Sequence, residues 1–219
     1  MMEKLSTTLL VICAVIVTGL LVRRELQPSD AASRAVEAVH VPEWQAYAAA
    51  GARMGPADAP VTIVVFSDFQ CPACRVLAER LQTVRADRGS DVAVVYRHHP
   101  LRTHPHARMA ARASECAGRQ GRFEAMHDAL FQAQSFIGTR AWDDIAKEAS
   151  VGNLDEFGRC MKDAEMDSLL ARDAAPAKEL GIDATPTFLI NDTRLVGALP
   201  LAALNRHIDR AMRTRAARR

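Results

Sequence analysis

An α/β domain of βαβ and then ββα order, interrupted by an all-helical insertion and preceded by an N-terminal membrane helix, is the fold class the sequence predicts. Three observations carry it. Two β-branched apolar runs, Val61-Thr-Ile-Val-Val-Phe66 and Asp91-Val-Ala-Val-Val-Tyr96, fall within 36 residues, with helical spacing of apolar residues between them. From His106 to Leu180 only helical periodicity is found. The chain then offers a hairpin pattern over Thr187–Val196 and an amphipathic helix from Leu199 to Arg215.

Leu5 to Val22 is an uncharged run of 18 residues, close to the length an α-helix needs to cross a bilayer core. It is followed at once by Arg23, Arg24 and Glu25 with no small-x-small site beside it, which favours an uncleaved anchor over residues 1–24 against a cleaved signal. Cys13 reads as an apolar filler of that helix. Residues 25–54 read as a linker that becomes ordered near Trp44 and Tyr47.

Val61–Phe66 suits a strand buried on both faces. The following helix has Pro72 in its first turn, where a missing N–H costs nothing, and carries Val76, Leu77, Leu81 and Val84 up to Gly89-Ser90. A second strand ends at Tyr96, and a βαβ unit of this kind makes the two strands parallel with a right-handed crossover. Helices are predicted over 106–118, 122–133, 141–149, 154–163 and 166–180, with breaks at Gly121, Gly138 and Gly152. Asn191-Asp192 is the hairpin turn, and Leu201, Leu204, Ile208 and Met212 line one face of the last helix.

With 28 Lys and Arg against 26 Asp and Glu, the net charge is +2, which gives no electrostatic case for nucleic acid. A charged fraction of 25% with 49% hydrophobic residues excludes a mostly disordered chain. The Arg-rich tail after His207 reads as a solvated helix end.

Cys71-Pro72-Ala73-Cys74 follows a buried strand and opens a helix. At a helix N-terminus the free N–H groups and the positive end of the dipole stabilise a thiolate, so Cys71 is the candidate nucleophile and Cys74 the resolving thiol. Such a pair opens and closes a disulfide through a mixed disulfide with substrate. A zinc half-site would need a second Cys or His pair at ligand spacing, and no second CxxC exists. His98, His99, His104 and His106 crowd into nine residues, but Pro100 and Pro105 punctuate them and no carboxylate lies among them. They read as a solvated loop, not a metal site. Thr185-Pro186 precedes the last hairpin, and its residues alone leave cis and trans open.

VTIVVFSDFQCPACR from Val61, VVYRHHPL from Val94, QGRFEAMHDALFQ from Gln120 and GIDATPTFLIND from Gly181 together resemble the DsbA-like branch of the thioredoxin superfamily, over Gly55 to Ala211. The resemblance implies a thioredoxin fold over residues 55–215 with its insert at about 104–180. It also implies a thiol–disulfide oxidoreductase outside the cytoplasmic membrane, with Cys71 and Cys74 as redox pair and no cofactor. Thr185-Pro186 then becomes a cis-proline loop that pairs with an extended substrate. Its partners would be exported proteins bearing cysteines and a redox protein that recycles the couple. The domain would stand on the periplasmic or outer side, held by the N-terminal helix or secreted after its cleavage.

Two departures stand out. Relatives often have Glu where this chain has Val65, and Asp68, the nearest acid, reads as an exposed turn residue. Pro72-Ala73 also lacks the His of strongly oxidising members. Cys116 and Cys160 fall on two insert helices, 44 positions apart. In a reducing compartment they would be small core residues; the oxidising compartment that the anchor and the resemblance imply favours a disulfide. Disulfide donation is the leading reading, and three others stay open: a reductase, a peptide-holding module and a metal carrier. An isomerase is disfavoured, because the 38 residues from Arg23 to Pro60 are too few for a separate dimerisation domain.

Overall fold

The computed structural model describes Thr18 and residues 38–217, so the predicted anchor, Thr18 apart, lies outside the described residues. Among the described residues no helix is long and apolar enough to cross a membrane.

Two parallel strands, β3 (Val61–Ser67) and β4 (Val92–His98), lie side by side within a six-stranded sheet. Every residue of both is buried, as continuous apolar runs without polar alternation require. The hairpin β5 (Thr187–Ile190) and β6 (Thr193–Val196) pairs antiparallel to β3. Asn191 makes the turn with a left-handed φ of 47°, and its side chain accepts from the Thr62 N–H at 2.9 Å, which pins the hairpin to β3.

Between β3 and β4 runs α2 (Pro72–Arg88), preceded in the chain by the short helix α1 (Trp44–Ala48). Its buried residues are Cys74, Leu77, Leu81 and Val84; Val76, predicted on that face, is only half-buried. The insert follows as α3 (Ala107–Gly118), α4 (Phe123–Gln132), α5 (Trp142–Glu148), α6 (Leu154–Cys160) and α7 (Glu165–Glu179), and α8 (Leu201–Ala217) closes the domain. Gly138 sits at φ 94° between α4 and α5, and a Cβ there would come within 2.1 Å of the His106 ring. Only glycine fits that approach.

Two pieces of the stretch read as a linker, residues 39–40 and 52–54, belong to the sheet. β1 (Val39–His40) pairs with β6 and β2 (Ala52–Met54) pairs with β4, so the domain begins well before residue 55. The reason is the period-2 geometry of β3. Ile63 and Val65 face the main core, but Val64 and Phe66 point to the other face, where they need a cover. Val41, Trp44 and Tyr47 supply it together with Ala177 and Ile182.

Arg97 holds this cover in place from within. Its guanidinium is buried, 2.8 Å from Asp173 on α7, and it also donates to the carbonyls of Tyr47 and Ala50. Asp173 accepts the His98 N–H at 3.0 Å as well. Asp173→Ala would strand a buried cation, at an expected loss of about 3–5 kcal/mol, which urea unfolding would read. A loss below about 1 kcal/mol would mean that Arg97 finds water instead.

Candidate active site

Cys71 occupies the N-cap of α2 with an extended backbone (φ −76°, ψ 119°), and Pro72 follows in the first turn. The carbonyl of Cys71 accepts the N–H groups of Cys74 and Arg75. That leaves its sulfur at the electropositive helix end. Cys71 is 7% exposed and Cys74 1%, and both are free thiols. Pro72 is exposed and Ala73 half-buried, so the dipeptide forms the surface beside the outer sulfur.

Hydrogen bonding to the Cys74 side chain lowers the Cys71 pKa against the desolvation that opposes it. Thr185 and the N–H groups of Cys74 and Ala73 help, and the value falls from 9.0 to about 5. Burial does the opposite to Cys74, whose thiol is pushed well above its ordinary value. One sulfur is thus kept as thiolate and the other as thiol.

Thr185-Pro186 lies against the pair, in the cis form. The Cys71 sulfur lies 3.4 Å from the Thr185 carbonyl oxygen, which brings the two sequence segments, 114 residues apart, into one site. Cys116 on α3 and Cys160 on α6 are joined as a disulfide within the insert, with a Cα–Cα distance of 5.7 Å.

Asp68 is a correction to the sequence reading. It is not an exposed turn residue: its carboxylate is fully buried, because the loop after β4 folds over it. It accepts from the Gln70 and Leu101 N–H groups at 2.7 and 2.8 Å and bonds His104 Nδ1 at 2.8 Å. The histidine loop is likewise not simply solvated. His98 is 1% exposed and bonds Glu115 on α3, while the His106 N–H donates to the Gln70 side chain. Among the described residues, no group of three or more His, Cys, Asp or Glu is placed to hold a metal.

Sequence reasoning missed one further residue. Gln134, in the turn after α4, donates from Nε2 to the carbonyls of Phe69 and Cys71 at 2.8 and 3.0 Å. The active-site turn is therefore held from two sides, by Asp68 through the β4 loop and by Gln134 through the insert. A glutamine in a helical insert carries no local signal of such a contact.

The family model described as Thioredoxin matches residues 48–210. The solved structure of Pseudomonas aeruginosa DsbA2 is 32% identical, covering 72% of this chain and 91% of that one with a TM-score of 0.61. The chain belongs to the DsbA-like branch of the thioredoxin family. It is a DsbA-like thiol–disulfide oxidoreductase, with the helical insertion of that branch in its thioredoxin fold. A periplasmic thioredoxin-like protein from Salmonella enterica serovar Typhimurium shares the fold at 23% identity, over 73% of this chain and 88% of that one, with a TM-score of 0.64. The Na+/H+ antiporter NhaA 1 of Mycolicibacterium gilvum is 36% identical over 160 residues, which make 71% of this chain and 25% of the antiporter. The DsbA-like chain thus spans about a quarter of the length of such a relative.

Val65 on β3 is 4% exposed and packs in the same core as Cys74. No carboxylate from that position reaches the inner thiol.

Proposed function

We propose that the chain is a disulfide donor acting outside the cytoplasmic membrane on the cysteines of exported proteins, and that the apolar run 5–22 tethers it there. The carrying observation is the place of Cys71 at the N-cap of α2 with Cys74 buried behind it, an arrangement that stabilises the outer thiolate and lowers its pKa to about 5. A thiolate of low pKa is a good leaving group and stabilises the reduced form of the couple, and both make the disulfide form a stronger oxidant.

In the forward reaction a substrate thiolate attacks Cys71 Sγ, the Cys71–Cys74 bond breaks, and Cys74 leaves with the electron pair and takes a proton. A second substrate thiolate then attacks the substrate sulfur of the mixed disulfide, and Cys71 departs as thiolate. The Thr185 backbone beside the cis-proline lies where an extended substrate strand would align with Cys71. The Cys116–Cys160 disulfide supports an oxidising compartment, where such bonds persist. The reduced pair must be re-oxidised by a partner in or near the membrane.

The test is to mix the oxidised full chain with a reduced peptide bearing two cysteines and to follow peptide disulfide by mass spectrometry. A donor forms one peptide disulfide per chain. Peptide that is bound but left reduced would support a holding module, and rapid reduction of an already oxidised peptide by the dithiol form would support a reductase.

A further inference from the structure

Behind the inner cysteine lies a small cavity of about 20 Å³, room for one water, which needs roughly 10–15 Å³. Val65, Ser67, Cys74, Tyr96, His127 and Asp128 are among the side chains that line it. Its inner end is buried: Cys74, Ser67 and Tyr96 are each at most 3% exposed. Its outer end reaches Gln82 and Asp128, which meet solvent.

Three features give this cavity a chemical direction. The Tyr96 hydroxyl is buried beside the Ser67 side chain and makes no hydrogen bond of full geometry, although a buried phenol ordinarily finds one. His127 stands edge-on to the Tyr96 ring, with centroids 5.1 Å apart. Its Nδ1 is held by Asp128 Oδ1 at 2.8 Å, and the residue lines the cavity. Cys74 needs such a path, because it must gain a proton each time the disulfide opens and lose one each time it closes.

We propose that this cavity is the proton path of Cys74: one water, held by the Ser67 and Tyr96 hydroxyls, links the inner sulfur to His127, and the His127–Asp128 pair exchanges the proton with solvent. The inference rests on the thiol-exchange reading above. As the disulfide opens, the Cys74 thiolate takes a proton along the path from the imidazolium. In the reverse direction the Cys74 S–H proton passes to the neutral imidazole while its sulfur attacks Cys71. The Cys71–Cys74 bond forms, and the mixed disulfide breaks to release the other thiolate.

Two observations fit this assignment. Desolvation pushes the Cys74 pKa upward, so its proton does not leave unaided. Burial also raises the Tyr96 pKa well above its ordinary value, which keeps the phenol protonated as a donor and acceptor. The charged and titratable groups around His127 are Asp128 on its own helix, Cys74 and Arg85 on α2, and Tyr96 on β4. Arg85 is paired with Glu124 at 2.7 Å, and His98, next to the Tyr96 ring, is paired with Glu115. His127 acts through the water and is a positioning residue, not one that touches sulfur.

The experiment reads the Cys74 step alone. The reduced full chain is mixed with oxidised glutathione, quenched in acid, and the lifetime of the Cys71–glutathione mixed disulfide is followed by mass spectrometry across pH. In the wild type its decay should quicken as the pH rises, because the buried Cys74 thiol must give up its proton to attack. His127→Gln should lengthen the lifetime at pH 7 by about tenfold or more and alter its pH dependence, with the equilibrium potential and the Cys71 alkylation rate unchanged. Tyr96→Phe, which keeps the ring packing, should slow the same step. Val65→Glu, which places a carboxyl in the same cavity, should restore the rate to His127→Gln. Equal lifetimes and pH profiles in the wild type, His127→Gln and Tyr96→Phe would overturn the proposal. A wild-type chain that forms no mixed disulfide would overturn the exchange reading itself and this path with it.

Discussion

Cys74→Ser is expected to stop the reaction at a covalent adduct, with substrate or glutathione held on Cys71, whereas Cys71→Ser is expected to abolish exchange altogether. The asymmetry comes from the position of the two sulfurs on α2. Cys71 caps the helix, where unpartnered N–H groups and the dipole favour its anion, and it keeps 7% exposure against 1% for Cys74. At pH 7 a thiol with a pKa near 5 is almost wholly ionised, which gives about thirty times the thiolate of an ordinary cysteine near 8.5. Only Cys71 can therefore start exchange with a bulky partner, and only Cys74 is placed to resolve it. Mass spectrometry of each variant after exposure to oxidised glutathione checks both halves. An adduct on Cys74 in the Cys71→Ser chain would reverse the assignment.

The second large effect is on pH. Between about pH 5 and 9 the potential of the couple should fall by about 30 mV per pH unit, against about 59 mV below pH 5. Reduction brings two electrons, but above the Cys71 pKa only Cys74 takes up a proton. One proton per two electrons halves the slope. The same ionisation sets a stability difference. Because the folded pKa of Cys71 lies below its ordinary 9.0, its contribution to the stability of the reduced chain is fully present above about pH 9 and is lost as the pH falls through about 5. Reduced and oxidised chains should thus converge in stability toward pH 5 and diverge above it, as paired urea titrations would read. A slope of about 59 mV throughout that window would place both thiols in the protonated state.

Much of the fold was legible because its signals are local. β3 and β4 are β-branched runs with no polar alternation, and only strands buried on both faces tolerate that. Glycines at 121 and 138 and the Asn191-Asp192 turn mark where the chain reverses, and the insert helices stand within a few residues of their predicted limits. β1 and β2 went unread because strands of two and three residues carry no period. They exist because the Val64 and Phe66 face of the sheet has to be covered, a tertiary demand.

The CxxC and the Thr185-Pro186 pair were visible as motifs, since a helix N-terminus after a strand is a sequence pattern. Asp68 was misread for the same kind of reason that Gln134 was missed. Its burial depends on a loop more than 30 residues away in the chain folding back over it, and nothing at positions 67–70 signals that return. The histidine-rich stretch carries no local sign of its burial either, because the partner of His98 is Glu115 of the insert.

The most direct test of the account is the equilibrium potential of the Cys71–Cys74 couple, measured on the full chain in glutathione buffers at pH 7 by thiol labelling and mass spectrometry. A disulfide donor with a stabilised Cys71 thiolate is predicted to lie near the about −120 mV of DsbA. A value near the about −270 mV of thioredoxin would contradict it, and would make the chain a reductant of the proteins it meets.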